Sequence, residues 1–197
     1  MIMKVIMATS NANKVKEIQQ MLEGTDIEIV SLKEAGIVMD VEETGTTFAE
    51  NAALKAEAVR DASGTTAIAD DSGLVIDYLG GAPGIYSSRF MGEDTSYDIK
   101  NNAIIEKLNG VPDEERSARF VCAVAIAFPD GHTETAEGIF EGRIAYEPAG
   151  CGGFGYDPIF YLPERGCTSA ELTAEEKNAI SHRGKAIKKA VEILQNV

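Results

Sequence analysis

The chain has 197 residues, 44% of them hydrophobic, which suits a single domain over 1–197 or one fold with two lobes around a real core. Its 32 acidic against 18 basic residues leave a formal charge of −14, which excludes nonspecific binding of duplex nucleic acid, since that needs a basic surface. No apolar run approaches the roughly 20 residues of a membrane span, and three widely spaced cysteines with two histidines suggest neither a disulfide framework nor a structural zinc site, so a reducing, cytoplasmic setting fits best.

Residues 2–8 are rich in Val, Ile and Met. With one Lys they imitate a signal peptide only weakly, because polar Thr9-Ser10-Asn11 follow at once, and they read as a first core strand. Val15, Ile18 and Leu22 then recur at helical spacing and Gly24 closes the helix. A second strand is expected over 27–31, and 34–46 is loop-like, with Glu42-Glu43 before Gly45. A strong helix follows over 47–62, opened by a capping box of Thr47 and Glu50 and carrying Phe48, Ala52, Ala56 and Val59 as its apolar stripe. Thr66–Ala69 and Leu74–Ile76 read as two short strands on either side of a turn, Asp70-Asp71-Ser72-Gly73. Gly80–Gly84 is a turn-rich loop, and a helix over 95–108 ends at Asn109-Gly110. The longest hydrophobic stretch, Phe120–Phe128, lies in a strand over 117–128, which turns at Pro129-Asp130-Gly131 and returns over 132–140. Residues 147–158 are too glycine-rich for regular structure, and a last helix starts near Ser181 with Ile187, Ala190, Val191 and Leu194 on its core face. This mixture, without strict βαβ alternation, predicts an α/β or α+β fold with a large mixed sheet.

An acidic chain still binds a polyanion where a few cations, a helix N-terminus and usually a metal ion converge. Thr9 to Lys14, TSNANK, is one such place: a strand runs through a polar turn into a helix, Ser10 and Asn11 add hydrogen-bonding groups, and Lys14 adds a charge. Alone, the pattern favours an ordinary N-cap, and without GxxxxGK[ST] it is no P-loop. Glu43, Asp70 and Asp71 form an acidic set of the kind that holds magnesium with water and substrate phosphate, although the tetrapeptide DDSG by itself favours a turn. Adjacent residues after a strand face opposite ways, so Asp70 and Asp71 are expected to do different jobs. Asn51 and Lys55 share one helix face, and a snorkelling lysine is the plainer account of the second. Four of the six residues 150–155 are glycine, so backbone there can approach a ligand closely; Phe154 offers a stacking ring and Asp157 an acceptor for a base edge, or else the aromatic is tucked into the core. Lys177 and Ser181-His182-Arg183 come last. Arg183 leans toward the buried side and needs a partner, and Ser181-His182 adjacency is not a nucleophile–base pair.

Singly these motifs are weak, but their order and spacing are not. TSNANK with Glu17, then EETGTTFAENAALKA, IADDSGL, GGAPGIYSSRF, GGFGYDPIF and ELTAEEKNAISHRGKA, resembles the inosine triphosphatase family of nucleoside-triphosphate pyrophosphatases from Thr9 to Ala186, and the SHR form resembles the bacterial branch. The resemblance implies a two-lobed α/β fold around a long mixed sheet with flanking helices, an active-site cleft between the lobes, and a homodimer. It implies magnesium-dependent hydrolysis of the α–β phosphoanhydride of ITP, dITP and XTP. Carried onto this sequence, Thr9, Ser10, Asn11 and Lys14 hold the triphosphate, and Glu43 and Asp71 hold Mg2+. Asp71 also activates water, with Asp70 in support. Lys55 neutralises phosphate charge and Ser72 touches substrate. Phe154, Gly155, Tyr156 and Asp157 hold the base, with Phe154 stacking, and Lys177, His182 and Arg183 complete the base and phosphate contacts. Two other readings are a pyrophosphatase of other modified nucleotides and a nucleotide sensor without turnover; the Glu43, Asp71 and Lys55 set speaks against the second, since a mere binder needs no water activator.

Overall fold

The computed structural model describes residues 2–196, with the side chain of Glu17 outside the described residues. Seven strands form one mixed sheet: β1 (Met3–Met7), β2 (Ile27–Ser31), β3 (Ala67–Ile76), β4 (Ser117–Ala127), β5 (Thr133–Ile144), β6 (Phe160–Leu162) and β7 (Cys167–Thr168), in the order β2-β1-β3-β4-β5-β6-β7. The helices are α1 (Ala12–Met21), α2 (Phe48–Ser63), α3 (Tyr97–Lys107), α4 (Ala174–Ile180) and α5 (His182–Gln195). Among the described residues no helix is long and apolar enough to cross a membrane.

The chain divides into two compact units. The first comprises Met1–Asp71, Cys122–Gly138 and Arg183–Val197. Here β1 pairs in parallel with β2 and with β3, and α1 and α2 are the crossovers that parallel neighbours require. Strand alternation sorts the side chains into two layers. Val5, Met7, Ile68, Val124 and Ile126 face one way and pack with Ile18 of α1, with Leu22 at its C-cap, and with Ile187, Ala190 and Leu194 of α5. Ile6, Ala8, Ala67, Ala69, Ala123, Ala125 and Ala127 face the other way, against Ala52, Ala56 and Val59 of α2. The second layer is built mostly of alanine, so α2 lies close on the strands and its polar residues reach them.

The second unit comprises Ser72–Val121 and Ile139–His182. Its core gathers Leu74 and Ile76 of β3, Ile104 and Leu108 at α3, Phe120, Phe140, Tyr156 and Phe160. Phe160 lies 4.5 Å from Phe120 and 5.2 Å from Phe140, ring centre to ring centre. Arg116 is buried and donates to the carbonyls of Leu108, Ile144 and Ala145, each at 2.8 Å, under the ring of Tyr146. Its role is to close backbone acceptors.

Two expectations are corrected. Asp70-Asp71-Ser72-Gly73 is not a turn between two strands but the middle of β3, which runs unbroken from Ala67 to Ile76. Turn chemistry loses because both carboxylates find cationic or amide partners in place, so extended backbone satisfies them. The strand after the Pro129–Gly131 turn runs on to Ile144 rather than stopping at 140. The strands β6 and β7 and the helix α4 were not anticipated, although α4 carries a capping box of Thr173 and Glu176 that the sequence displays.

Candidate active site

The candidate residues fall into two groups, one in each unit. In the first, the carboxylates of Asp70 and Asp71 go to different partners, as strand alternation requires. Asp70 is fully buried, and its Oδ2 receives Lys14 Nζ at 2.9 Å and Arg183 Nη2 at 3.4 Å. Burial alone would push its carboxyl up; Lys14, Arg183 and Lys55 outweigh burial and hold it well below the usual carboxylate range. Asp71 Oδ1 lies 3.4 Å from Lys55 Nζ, and its Oδ2 accepts from Asn51 Nδ2 at 3.4 Å. Its carboxyl is held above the usual range by burial, with the charge of Glu43 adding and Lys55 opposing.

Lys55 is the junction. Its ammonium donates to Glu43 Oε1 at 2.8 Å, to the Asp70 carbonyl at 2.9 Å and to Asp71 Oδ1 at 3.4 Å. Burial pulls its pKa down, but Asp71, Glu43 and Asp70 together raise it, so it stays a cation. Glu43 arrives on an extended segment whose odd positions turn inward: Ile37 and Met39 pack against the alanine layer, and Glu43, half-buried, follows in the same phase.

The TSNANK block is a strand-to-helix turn. Asn11 caps α1, its Oδ1 accepting from the N–H groups of Asn13 at 3.0 Å and Lys14 at 3.3 Å, while Thr9 Oγ1 accepts from the Asn11 N–H at 3.2 Å. The plain N-cap account therefore describes Asn11, while Lys14 reaches Asp70 and Ser10 is exposed.

Glu43 and Asp71 meet one ammonium, a spacing within reach of a single cation with two protein ligands. Among the described residues no group of three or more His, Cys, Asp and Glu could hold a metal ion. Magnesium, which takes one or two carboxylates and fills the rest with water and phosphate, fits such a donor set. Asp70 Oδ1 is buried and has no hydrogen-bond partner among the described residues, which leaves an acceptor for ordered water beside it.

In the second unit the glycine loop is organised by Asp157. Its Oδ2 accepts from the Phe154 N–H at 2.8 Å and from Lys177 Nζ at 2.7 Å, and its Oδ1 from Ser169 Oγ at 2.7 Å. Lys177 Nζ in turn sits 5.1 Å from the centre of the Phe154 ring. This carboxylate thus holds the loop in shape. Tyr156 is buried, its hydroxyl donating to the Ser87 carbonyl at 2.6 Å and its ring packed edge-on against Tyr97. Phe154 is the half-buried aromatic of the loop. The Gly155 carbonyl accepts from Asn101 Nδ2 at 3.1 Å, and His182 stacks on Phe120 with ring centres 4.8 Å apart. Ser72 is half-buried on β3.

A model of the Ham1 family matches residues 5–193. The chain belongs to the Ham1 family. It is 51% identical over 195 residues to the dITP/XTP pyrophosphatase of Desulforamulus reducens, covering 99% of this chain and 97% of that one. It is 50% identical over 192 residues to the protein of the same name from Bacillus subtilis, covering 98% and 97%. Among solved structures, a Ham1 protein from Coxiella burnetii superposes with a TM-score of 0.90 at 41% identity, over 99% of this chain and 100% of that one.

In this Ham1 chain three supporting residues escaped the sequence reading as site residues: Asn51 beside Asp71, Ser169 beneath Asp157, and Ser87, whose carbonyl takes the Tyr156 hydroxyl. Only Asn51 left a trace, as the helical neighbour of Lys55. Gly153 shows how little room the loop has. It sits at φ 68°, and an added Cβ would lie 2.1 Å from Asp157 Oδ2 and 3.2 Å from Lys177 Nζ. The left-handed backbone alone makes Gly153→Ala cost about 1–2 kcal/mol, and displacing the buried ion pair adds to it. Urea unfolding checks this; wild-type stability would mean that the loop yields freely.

Proposed function

We propose that this Ham1 chain, as one domain over 1–197, is a magnesium-dependent hydrolase that converts ITP, dITP and XTP to the nucleoside monophosphate and pyrophosphate, cleansing the nucleotide pool. The observation that carries the reading is the meeting of Glu43, Asp71 and Lys55 at one point, in a chain about half identical over its length to proteins named dITP/XTP pyrophosphatase. Phosphoanhydride hydrolysis asks little of a protein beyond charge neutralisation and a positioned water. Asp71 takes the proton of the attacking water, whose oxygen bonds to the α-phosphorus as the α–β bridge bond breaks and pyrophosphate leaves. Lys14, Lys55 and Arg183 offset phosphate charge, aided by Thr9, Ser10, Asn11 and Ser72 as hydrogen-bonding groups. Mg2+, held by Glu43 and Asp71, supplies further charge neutralisation at phosphate oxygens when bound.

The base is assigned to the loop of Phe154, Gly155, Tyr156 and Asp157 with Lys177, His182 and Arg183. Lysine and arginine have only donors. Hypoxanthine and xanthine present an oxygen at the purine 6-position, whereas adenine presents an amine. A buried donor facing that amine goes unpaired, and sites of this kind reject an analogue by about 10⁴-fold or more. Phe154→Ala is expected to weaken nucleotide binding by about 1–3 kcal/mol through lost stacking, read as a raised KM for ITP; an unchanged KM would assign Phe154 to packing. The same reading places the enzyme in the cytoplasm, which free thiols at Cys122, Cys151 and Cys167 suit, and as a homodimer.

The test is a nucleotide panel with Mg2+. Turnover of ITP, dITP and XTP well above ATP and GTP is expected. If ATP or GTP is consumed readily while ITP and XTP are left untouched, the reading is wrong.

A further inference from the structure

We propose that Asn51 is the positioning residue that brings the two magnesium-binding carboxylates to a single cation, an inference that rests on the magnesium reading above. Asn51 is fully buried one turn before Lys55 on α2. Its Oδ1 accepts the Gly45 N–H at 2.8 Å, and its Nδ2 donates to Asp71 Oδ2 at 3.4 Å. One carboxamide therefore joins the segment that delivers Glu43 to the strand that delivers Asp71. The join adds a fixed point to a segment otherwise held by the packing of Ile37 and Met39 and by the Glu43–Lys55 ion pair. No backbone N–H of residues 38–42 donates to another backbone group among the described residues. Just beyond Glu43 the backbone is held at Gly45 on Asn51 and at Thr46 and Thr47 on Glu50.

The residue type follows from the partners. An N–H on one side needs an oxygen, and a carboxylate on the other needs a donor; asparagine supplies both from a short, stiff side chain. Aspartate would set an acceptor against Asp71, and leucine, of similar shape, would supply neither. The contact is also tight from the loop side, where a Cβ on Gly45 would lie 2.6 Å from Asn51 Oδ1 and 2.7 Å from Glu50 Cβ. Glycine at 45 is thus the complement of asparagine at 51. Groups that orient metal ligands from behind change metal affinity by about 10–100-fold when removed.

The experiment uses full-length protein and Mn2+ alone as probe, its binding followed by loss of the free-ion EPR signal without nucleotide, for wild type, Asn51→Leu and Gly45→Ala. Both variants are expected to bind Mn2+ at least about tenfold more weakly. In ITP hydrolysis their half-saturating Mg2+ concentration should rise in parallel, with turnover recovering at high Mg2+. A merely destabilising change would depress turnover equally at every Mg2+ concentration. Because Gly45→Ala alters only the loop side, it decides alone should Asn51→Leu not fold. If wild type binds Mn2+ and the folded variants match it, the role of Asn51 is overturned and the magnesium reading stands. If wild type itself binds no Mn2+ and turns over ITP equally with EDTA, the magnesium reading falls and this inference with it.

Discussion

Asp71→Asn is expected to keep nucleotide binding and to lose hydrolysis by about 10²–10⁴-fold, the range that a positioned general base contributes. The amide preserves the shape of the side chain, so β3 and its contacts with α2 should survive. It cannot accept a proton, and it offers a cation one neutral oxygen where Asp71 offers a charged one. Lys55 and Lys14 remain, so the triphosphate still meets positive charge. Single-turnover release of pyrophosphate from ITP, alongside calorimetric binding of ITP in Ca2+, separates the two effects. Wild-type turnover would remove Asp71 from the chemistry, and loss of binding in proportion to rate would reduce it to a substrate anchor.

Asp70→Asn is the second large effect, and it falls on stability. Asp70 Oδ2 is the acceptor shared by Lys14 and Arg183, whose side chains are 15% and 2% exposed. Removing the negative charge leaves two cations close together in a dry site. Breaking a buried pair by neutralising one partner costs about 3–5 kcal/mol. Urea unfolding of the two proteins should show that difference, and replacing Lys14 by Gln in the Asp70→Asn background should recover part of it. A loss under about 1 kcal/mol would mean that water already screens the pair.

The adjacent carboxylates thus go to different partners: Asp70 meets Lys14 and Arg183, and Asp71 meets Lys55 and Asn51; the proposed mechanism makes the first a structural counter-ion and the second the reactive group. That their side chains part was legible in the sequence, because neighbours on a strand face opposite ways. Their setting was not. The DDSG tetrapeptide has the composition of a turn, and nothing local announces that Lys14, 56 positions earlier, and Arg183, 113 positions later, will hold Asp70 in extended backbone. Elements with a strong local signal were read well: the capping box and apolar stripe of α2, the apolar run of β4, and the core face of α5. The strands β6 and β7 carry no period of their own and exist because Tyr161 and Leu162 pair with Thr168 and Cys167. The glycine loop followed the same rule. Its flexibility and its aromatics were visible, but that Asp157 would spend its oxygens on Phe154, Lys177 and Ser169 depends on segments folded back from 12 and 20 residues away.

Product analysis tests the central claim most directly. When purified protein is mixed with ITP and Mg2+, the account predicts IMP and pyrophosphate in equal amounts, with no orthophosphate or IDP at early times. Release of orthophosphate and IDP instead would place the attack on the terminal phosphate and contradict it.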